Sequence, residues 1–227
     1  MRNLIFMLTI MIFVGAGCTN NSPKNDLKEA NLKGKVKSVR AVRYSAAEKF
    51  GEIVKGERGW TDVDIYNQEG NKIEESRYNS DGNLVWKHKC TYDDKGNKIE
   101  ESRYNSDGSL SGKYKCTYDD KGNMIEVSYY DSDGSLDRKF KYTYDDKGNM
   151  IEGSGYDSDG NPHRKVKYSY DDKGNRIEDS YYDSDGNFDR KYKYSLEYDN
   201  KENWTKQITY NNDKPSSIIE QEIEYYE

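Results

Sequence analysis

Residues Tyr118 to Thr143 read YDDKGNMIEVSYYDSDGSLDRKFKYT, and the pattern returns every 26 residues, with sister copies beginning at Tyr66, Tyr92, Tyr144 and Tyr170 and a divergent one at Tyr198. A fixed period of this length marks a repeat architecture in which each unit leans on its neighbours. Each unit carries two polar turn signals, DDKGN over 119–123 and DSDGS over 131–135, separated by short alternating runs. Gly in the fourth slot suits a three-residue loop, a type I turn followed by a residue at positive φ, and the opening Asp can accept from the backbone two residues on. Two antiparallel strands per repeat follow.

If Asp131 and Ser135 flank such a loop, simple pairing sets Tyr130 against Leu136, Ser128 against Arg138 and Val127 against Lys139. Strand side chains alternate, so Phe140, Tyr142 and Tyr144 share one face and Lys139, Lys141 and Thr143 the other. The columns hold through the array. His88, Tyr114, Phe140, Val166 and Tyr192 fill one slot, and Tyr92, Tyr118, Tyr144 and Tyr170 another. Ile73, Ile99, Ile125, Ile151 and Ile177 form a column on the opposite face. Strict alternation places Tyr78, Tyr104, Tyr130, Tyr156 and Tyr182 with the aromatic face, and a bulge would move them.

Aliphatic residues are sparse, and the 22 Tyr residues in fixed columns take their place in the expected core. A buried ring removes about 150–250 Å² from water, worth a few kcal/mol before entropy is subtracted. The expected fold is therefore all-β: an elongated, twisted or coiled, solenoid-like antiparallel sheet of tandem hairpins. Five repeats span 66–197, between an N-terminal β cap over 32–65 and a divergent C-terminal capping repeat over 198–227. In that last unit Glu202 stands in the turn-Gly slot and Pro215 interrupts the second half.

At the N-terminus Arg2, the apolar run Leu4 to Val14 and Gly15-Ala16-Gly17 precede Cys18. This resembles a bacterial lipoprotein signal peptide over 1–17, which implies lipidation of Cys18, a polar tether over 18–31, and a place in the cell envelope, at the outer membrane. Radiolabelled palmitate is expected to enter the wild-type chain and not Cys18→Ala; a labelled variant would rule the anchor out.

The recurring Y-D-x-x-G-N, at Tyr92 to Asn97, Tyr118 to Asn123, Tyr144 to Asn149 and Tyr170 to Asn175, resembles the YD repeat of the Rhs family over the region from Tyr66 to Asn203. The resemblance implies long antiparallel sheets of hairpins. The chain is too short to enclose cargo, and its period is longer than that family's. A lipoprotein start followed by a few such repeats is also similar to repeat lipoproteins of the Bacteroides group. A shorter match, YYDSDG at Tyr129 to Gly134 and Tyr181 to Gly186, is similar to the core of cell-wall-binding repeats but lacks their Trp residues.

Catalysis is not expected. His88 and His163 stand in different repeats with no nucleophile placed beside them, and carboxylates copied into every turn suit structure better than an active site. Calcium would need more acids than the DSDG loops supply. Cys90 and Cys116, one repeat apart, lie too far apart for a disulfide. No metal centre and no cofactor is expected, since only His88 offers itself beside the thiols. A net charge of −6 with acids in the turns leaves no basic stripe for nucleic acid. What remains is a membrane-anchored protein-interaction or structural module, or a carbohydrate binder that stacks sugars on Tyr92, Tyr118, Tyr144 and Tyr170.

Overall fold

Gly122 and Gly134 adopt φ of 76° and 86°, and Asp119 and Asp131 accept the Gly N–H through their carbonyls at 3.0 and 2.9 Å, so both turns of the repeat take the expected form. The Asp119 carboxylate also receives the backbone N–H of Lys121 and Asn123 at 2.9 and 2.8 Å. Glu202 holds a φ of 63° in the Gly slot of the last unit. In this computed structural model, which describes residues 25–227 other than Lys95 and Lys173, these turns join fourteen antiparallel strands.

The strands are β1 (Val36–Lys49), β2 (Glu52–Tyr66), β3 (Lys72–Tyr78), β4 (Leu84–Tyr92), β5 (Lys98–Asn105), β6 (Leu110–Tyr118) and β7 (Met124–Asp131). They continue with β8 (Leu136–Tyr144), β9 (Met150–Asp157), β10 (Pro162–Tyr170), β11 (Arg176–Tyr182), β12 (Phe188–Tyr198), β13 (Trp204–Asn211) and β14 (Lys214–Tyr225). Each pairs with its chain neighbours, and β1 pairs with β14 from Val36↔Tyr225 to Ser45↔Ser217. That last ladder closes the sheet into a barrel. The elongated, solenoid-like sheet expected from the repeats is thereby corrected. The segments expected to cap two open ends instead meet each other, which satisfies the edge groups that an open sheet would leave exposed.

Two bulges per repeat account for the curvature and for the register. Tyr118 pairs with Met124 and Thr117 with Glu126, so Ile125 is the extra residue; Tyr130 pairs with Leu136 and Tyr129 with Arg138, so Asp137 is another. Bulges bend a strand and sharpen its twist, and repeated at each hairpin they roll the sheet. Val127 consequently faces Phe140 and not Lys139, and Ser128 faces Lys139. The same device gives Tyr130 the outward parity of Glu126 and Ser128, and leaves the five Ile residues exposed at the bulges.

Inside, Met124, Val127, Phe140, Tyr142, Met150, Val166 and Tyr168 form the main core along one side of the barrel. Gly153 and Gly155 make room for it: a Cβ at Gly155 would meet Phe140 at 2.9 Å, and one at Gly153 would meet Tyr142 at 3.2 Å. Outside, Lys–Glu pairs bridge neighbouring strands, as at Lys87–Glu74 (2.9 Å), Lys113–Glu100 (2.9 Å) and Lys165–Glu152 (3.0 Å).

The barrel has two different ends. At the end of the DDKGN-type turns, the short helix α1 (Asp26–Glu29) is seated in the opening, with Asn25 capping it by accepting from Lys28 N. Leu27 is buried against Val36, Val39 and Tyr66, its N–H donates to Gly70 O, and Lys33 and Asn203 exchange hydrogen bonds. Residues 25–31, expected within a flexible tether, are thus a plug. The signal peptide, Cys18 and the rest of the tether lie outside the described residues.

At the opposite end β1 and β2 outrun their neighbours. β1 leaves β14 after Ser45, β2 joins β3 only at Thr61, and the ribbon between them ends at Phe50, which is fully exposed. Lys55 braces this arm against Glu220 of β14 at 2.8 Å.

Candidate functional site

The bulge at each Ile puts residues three apart on the same inner face, and this builds the polar half of the interior. Lys72 and Glu75, then Lys98 and Glu101, point inward where Met124 and Val127, then Met150 and Gly153, stand in the next two repeats, and Arg176 and Asp179 in the last. Charge arrives and leaves pairwise along the column. Lys72 sits 3.6 Å from Asp64 and 3.3 Å from Glu75. Lys98 sits 3.0 Å from Asp26 of the plug and 3.7 Å from Glu101. His88, opposite Glu75 in the β3–β4 ladder, brings its Nδ1 to 2.5 Å from Glu101 Oε1. Tyr92 donates its hydroxyl hydrogen to Asp26, whose carboxylate also accepts Lys72 N at 2.7 Å.

Burial alone would push both ammonium groups down, but the carboxylates beside them hold Lys72 and Lys98 well above the usual lysine value. Burial likewise works against ionised Glu101, and the hydrogen bond from His88 together with Lys98 outweighs it, leaving the carboxyl at about 2. For Asp64 burial wins and the carboxyl is raised to about 7, with Lys72 opposing. Burial raises the Cys90 thiol and pushes Cys116 up to about 12, so both are free, inert thiols.

The four tyrosines assigned to ligand stacking share the inward parity of Phe140 and Tyr142. Tyr144 and Tyr170 donate to Met124 O and Met150 O at 2.7 and 2.8 Å, each one repeat back, while Tyr92 shares its single hydroxyl hydrogen between Asp26 and Lys72 O. Tyr118 packs against the main core. These rings line the inside of the plugged rim, and the Tyr144 and Tyr170 hydroxyls tie consecutive repeats together.

A third arrangement, not anticipated from the sequence, occupies the inner rim at the arm end. Arg43, Arg77, Arg103, Arg138, Arg164 and Arg190 alternate there with aromatic rings. Trp60 lies between Arg43 and Arg77 (4.6 and 4.9 Å from guanidinium carbon to ring centre), and Trp86 between Arg77 and Arg103 (4.9 and 5.6 Å). Arg138 covers Tyr129, Arg164 covers Phe140 and Arg190 covers Tyr181 at 4.8, 4.9 and 5.2 Å. Asp62 engages Arg77 at 2.6 Å, and the carboxylates of Asp137 and Asp189 engage the Arg residues that follow them. Neither Arg43 nor Arg164 has a carboxylate at ion-pair distance among the described residues. Burial lowers both below the usual arginine value, and for Arg43 the charge of Arg77 adds to it. The column Trp86, Gly112, Arg138, Arg164, Arg190, two residues before the aromatic column, was the available sequence signal.

Together these features define a filled, fourteen-stranded barrel of hairpin repeats with a plugged end and an arginine-rimmed end. No family model matches the chain, and no curated protein does. Among solved structures, it is similar to a porin-like protein from Bacteroides uniformis (12% identity, TM-score 0.49), with 83% of this chain and 96% of that one aligned. A porin-like protein from Bacteroides vulgatus aligns over 85% and 99% (14%, 0.46), and a putative outer membrane lipoprotein-sorting protein domain from Vibrio parahaemolyticus over 83% and 86% (7%, 0.34). The resemblance to the YD-repeat family is corrected by these findings: no family model supports it, and the sheet closes on itself as a barrel where an elongated, solenoid-like sheet of hairpins was expected.

Proposed function

We propose that the protein is a non-catalytic binding module of the cell envelope, which takes a ligand carrying clustered carboxylate or phosphate groups at the arginine-rimmed end. The observation that carries this reading is the ring of six inward-parity arginines in which Arg43 and Arg164 lack a carboxylate partner among the described residues. Guanidinium groups pre-oriented on aromatic faces present forked donors to an anion at little entropic cost. Barrel mouths are also where ligands of such folds are taken up.

The membrane anchor of this reading is the lipidated Cys18. Residue 25 enters the barrel at the plugged end, so a tether from Cys18 would turn the arginine rim and the Phe50 arm away from the bilayer. The outer wall of Lys–Glu pairs suits water; a barrel threaded through lipid carries an outward apolar band about 25 Å tall.

Tryptophan fluorescence tests the rim, because Trp60 and Trp86 stand in it. Oligogalacturonate, citrate and inorganic phosphate are the probes, with a neutral oligogalactan as control. A saturable change with at least one anion, weakened by salt and reduced at least tenfold in an Arg43→Gln, Arg164→Gln variant, is expected. Indifference to all three anions, or equal response to the neutral glycan, would remove the proposal.

A further inference from the structure

We propose that Glu75, His88 and Glu101 form an internal binding site for one divalent transition-metal cation, with zinc the best chemical fit. One ligand atom from each residue lies within 4.8 Å of the other two. His88 is only 8% exposed, and its Nε2 has no hydrogen-bond partner, an arrangement that costs free energy unless something else occupies the imidazole.

The charges around the site point the same way. Three buried carboxylates, Asp26, Asp64 and Glu75, and the half-buried Glu101 meet two ammonium groups, Lys72 and Lys98, and each lysine is divided between two acids. Arg103, which pairs with His88 in the ladder, lays its guanidinium over the Trp86 ring, which itself stacks on His88 at 4.3 Å. A divalent cation between Glu75 and Glu101 leaves Lys98 to Asp26 and Lys72 to Asp64. The fifth repeat supplies the comparison. There a single acid, Asp179, meets a single Arg176 through both carboxylate oxygens and no excess is left.

The donor set also selects the metal. Two carboxylates and an imidazole suit zinc and its first-row neighbours, whereas magnesium and calcium want oxygen alone. Zinc holds its ligands at about 2.0–2.2 Å, so donors now up to 4.8 Å apart reach it through small rotations of the Glu side chains. The site was hidden in the sequence because Glu75 and Glu101 flank His88 on β3 and β5, which only the strand register brings together.

Chelator-stripped protein would be titrated with zinc chloride by calorimetry, and with cobalt chloride by visible absorption. One zinc per chain with a micromolar or tighter dissociation constant is expected, together with cobalt ligand-field bands and a rise in Tm on zinc addition. His88→Tyr places in this slot the residue that fills it at Tyr114 and Tyr192, so the barrel has a packed ring to fold around. That variant and Glu101→Gln are each expected to weaken zinc binding at least tenfold and to lose the Tm rise. If the folded wild-type chain takes up no zinc, or binds calcium or magnesium as tightly, or if His88→Tyr binds zinc as the wild type does, the proposal is overturned.

Discussion

Asp179→Val is expected to lower the free energy of unfolding by about 3–5 kcal/mol, and adding Arg176→Met to the same chain is expected to restore most of it. Both side chains are buried inside the barrel, and the guanidinium grips both carboxylate oxygens of its partner. Removing the acid alone strands a cation in a place it cannot be hydrated; removing both leaves Met and Val, which fill the same two inner positions as Met124 and Val127. About 1 kcal/mol should stay lost, because the Tyr194 hydroxyl, 2.6 Å from Asp179, loses its acceptor. Denaturant unfolding of the two single variants and the double variant closes the cycle. Additive single-variant costs would mean that the two groups act independently and that the repeats do not exchange this pair as a unit.

The same column shows where sequence reasoning succeeded and where it stopped. The turns were legible because their causes are local: a Gly at positive φ, an Asp side chain reaching two residues on. The aromatic columns were legible because alternation is local too, and Phe140, Tyr142, Val166 and Tyr168 are indeed buried together. Closure was not legible. The β1–β14 ladder joins segments distant in the chain, from Val36↔Tyr225 to Ser45↔Ser217, that lack the repeat pattern, and shear depends on bulges whose extra residues, Ile125 and Asp137, look like ordinary strand members.

The bulges also concealed the interior chemistry. Lys72 and Glu75 lie three apart, so a regular strand would place them on opposite faces and their joint replacement by Met and Val would carry no meaning. Once Ile73 is recognised as the extra residue, the substitutions Lys–Glu, Met–Val, Met–Gly and Arg–Asp read as matched inward pairs. His88 was likewise visible as a residue and invisible as part of a cluster. Tyr144 and Tyr170, whose regularity suggested a ligand platform, also have a structural part that the sequence did not disclose: each hydroxyl latches onto a carbonyl one repeat back.

Phe140→Ala should cost about 3–5 kcal/mol, the range for emptying a fully packed aromatic site. Phe140 is 2% exposed, lies edge-on to Tyr129 at 5.7 Å between ring centres, stacks near Tyr142 at 6.5 Å and supports the Arg164 guanidinium at 4.9 Å. The barrel cannot easily collapse onto the gap, because the strands around it are fixed by ladders on both sides. The ring also explains Gly155, whose missing side chain is the space it occupies: Gly155→Ala alone should destabilise by about 1–3 kcal/mol through overpacking. In the Phe140→Ala background the same Gly155→Ala change should cost nothing or give stability back, since its methyl group then enters the vacated volume. The sign of that coupling, read from denaturant midpoints at constant m-value, is the decisive quantity. A Gly155→Ala cost that is unchanged when Phe140 is absent would mean that the glycine is kept for its backbone, and that the aromatic column does not set the spacing of β8 and β9.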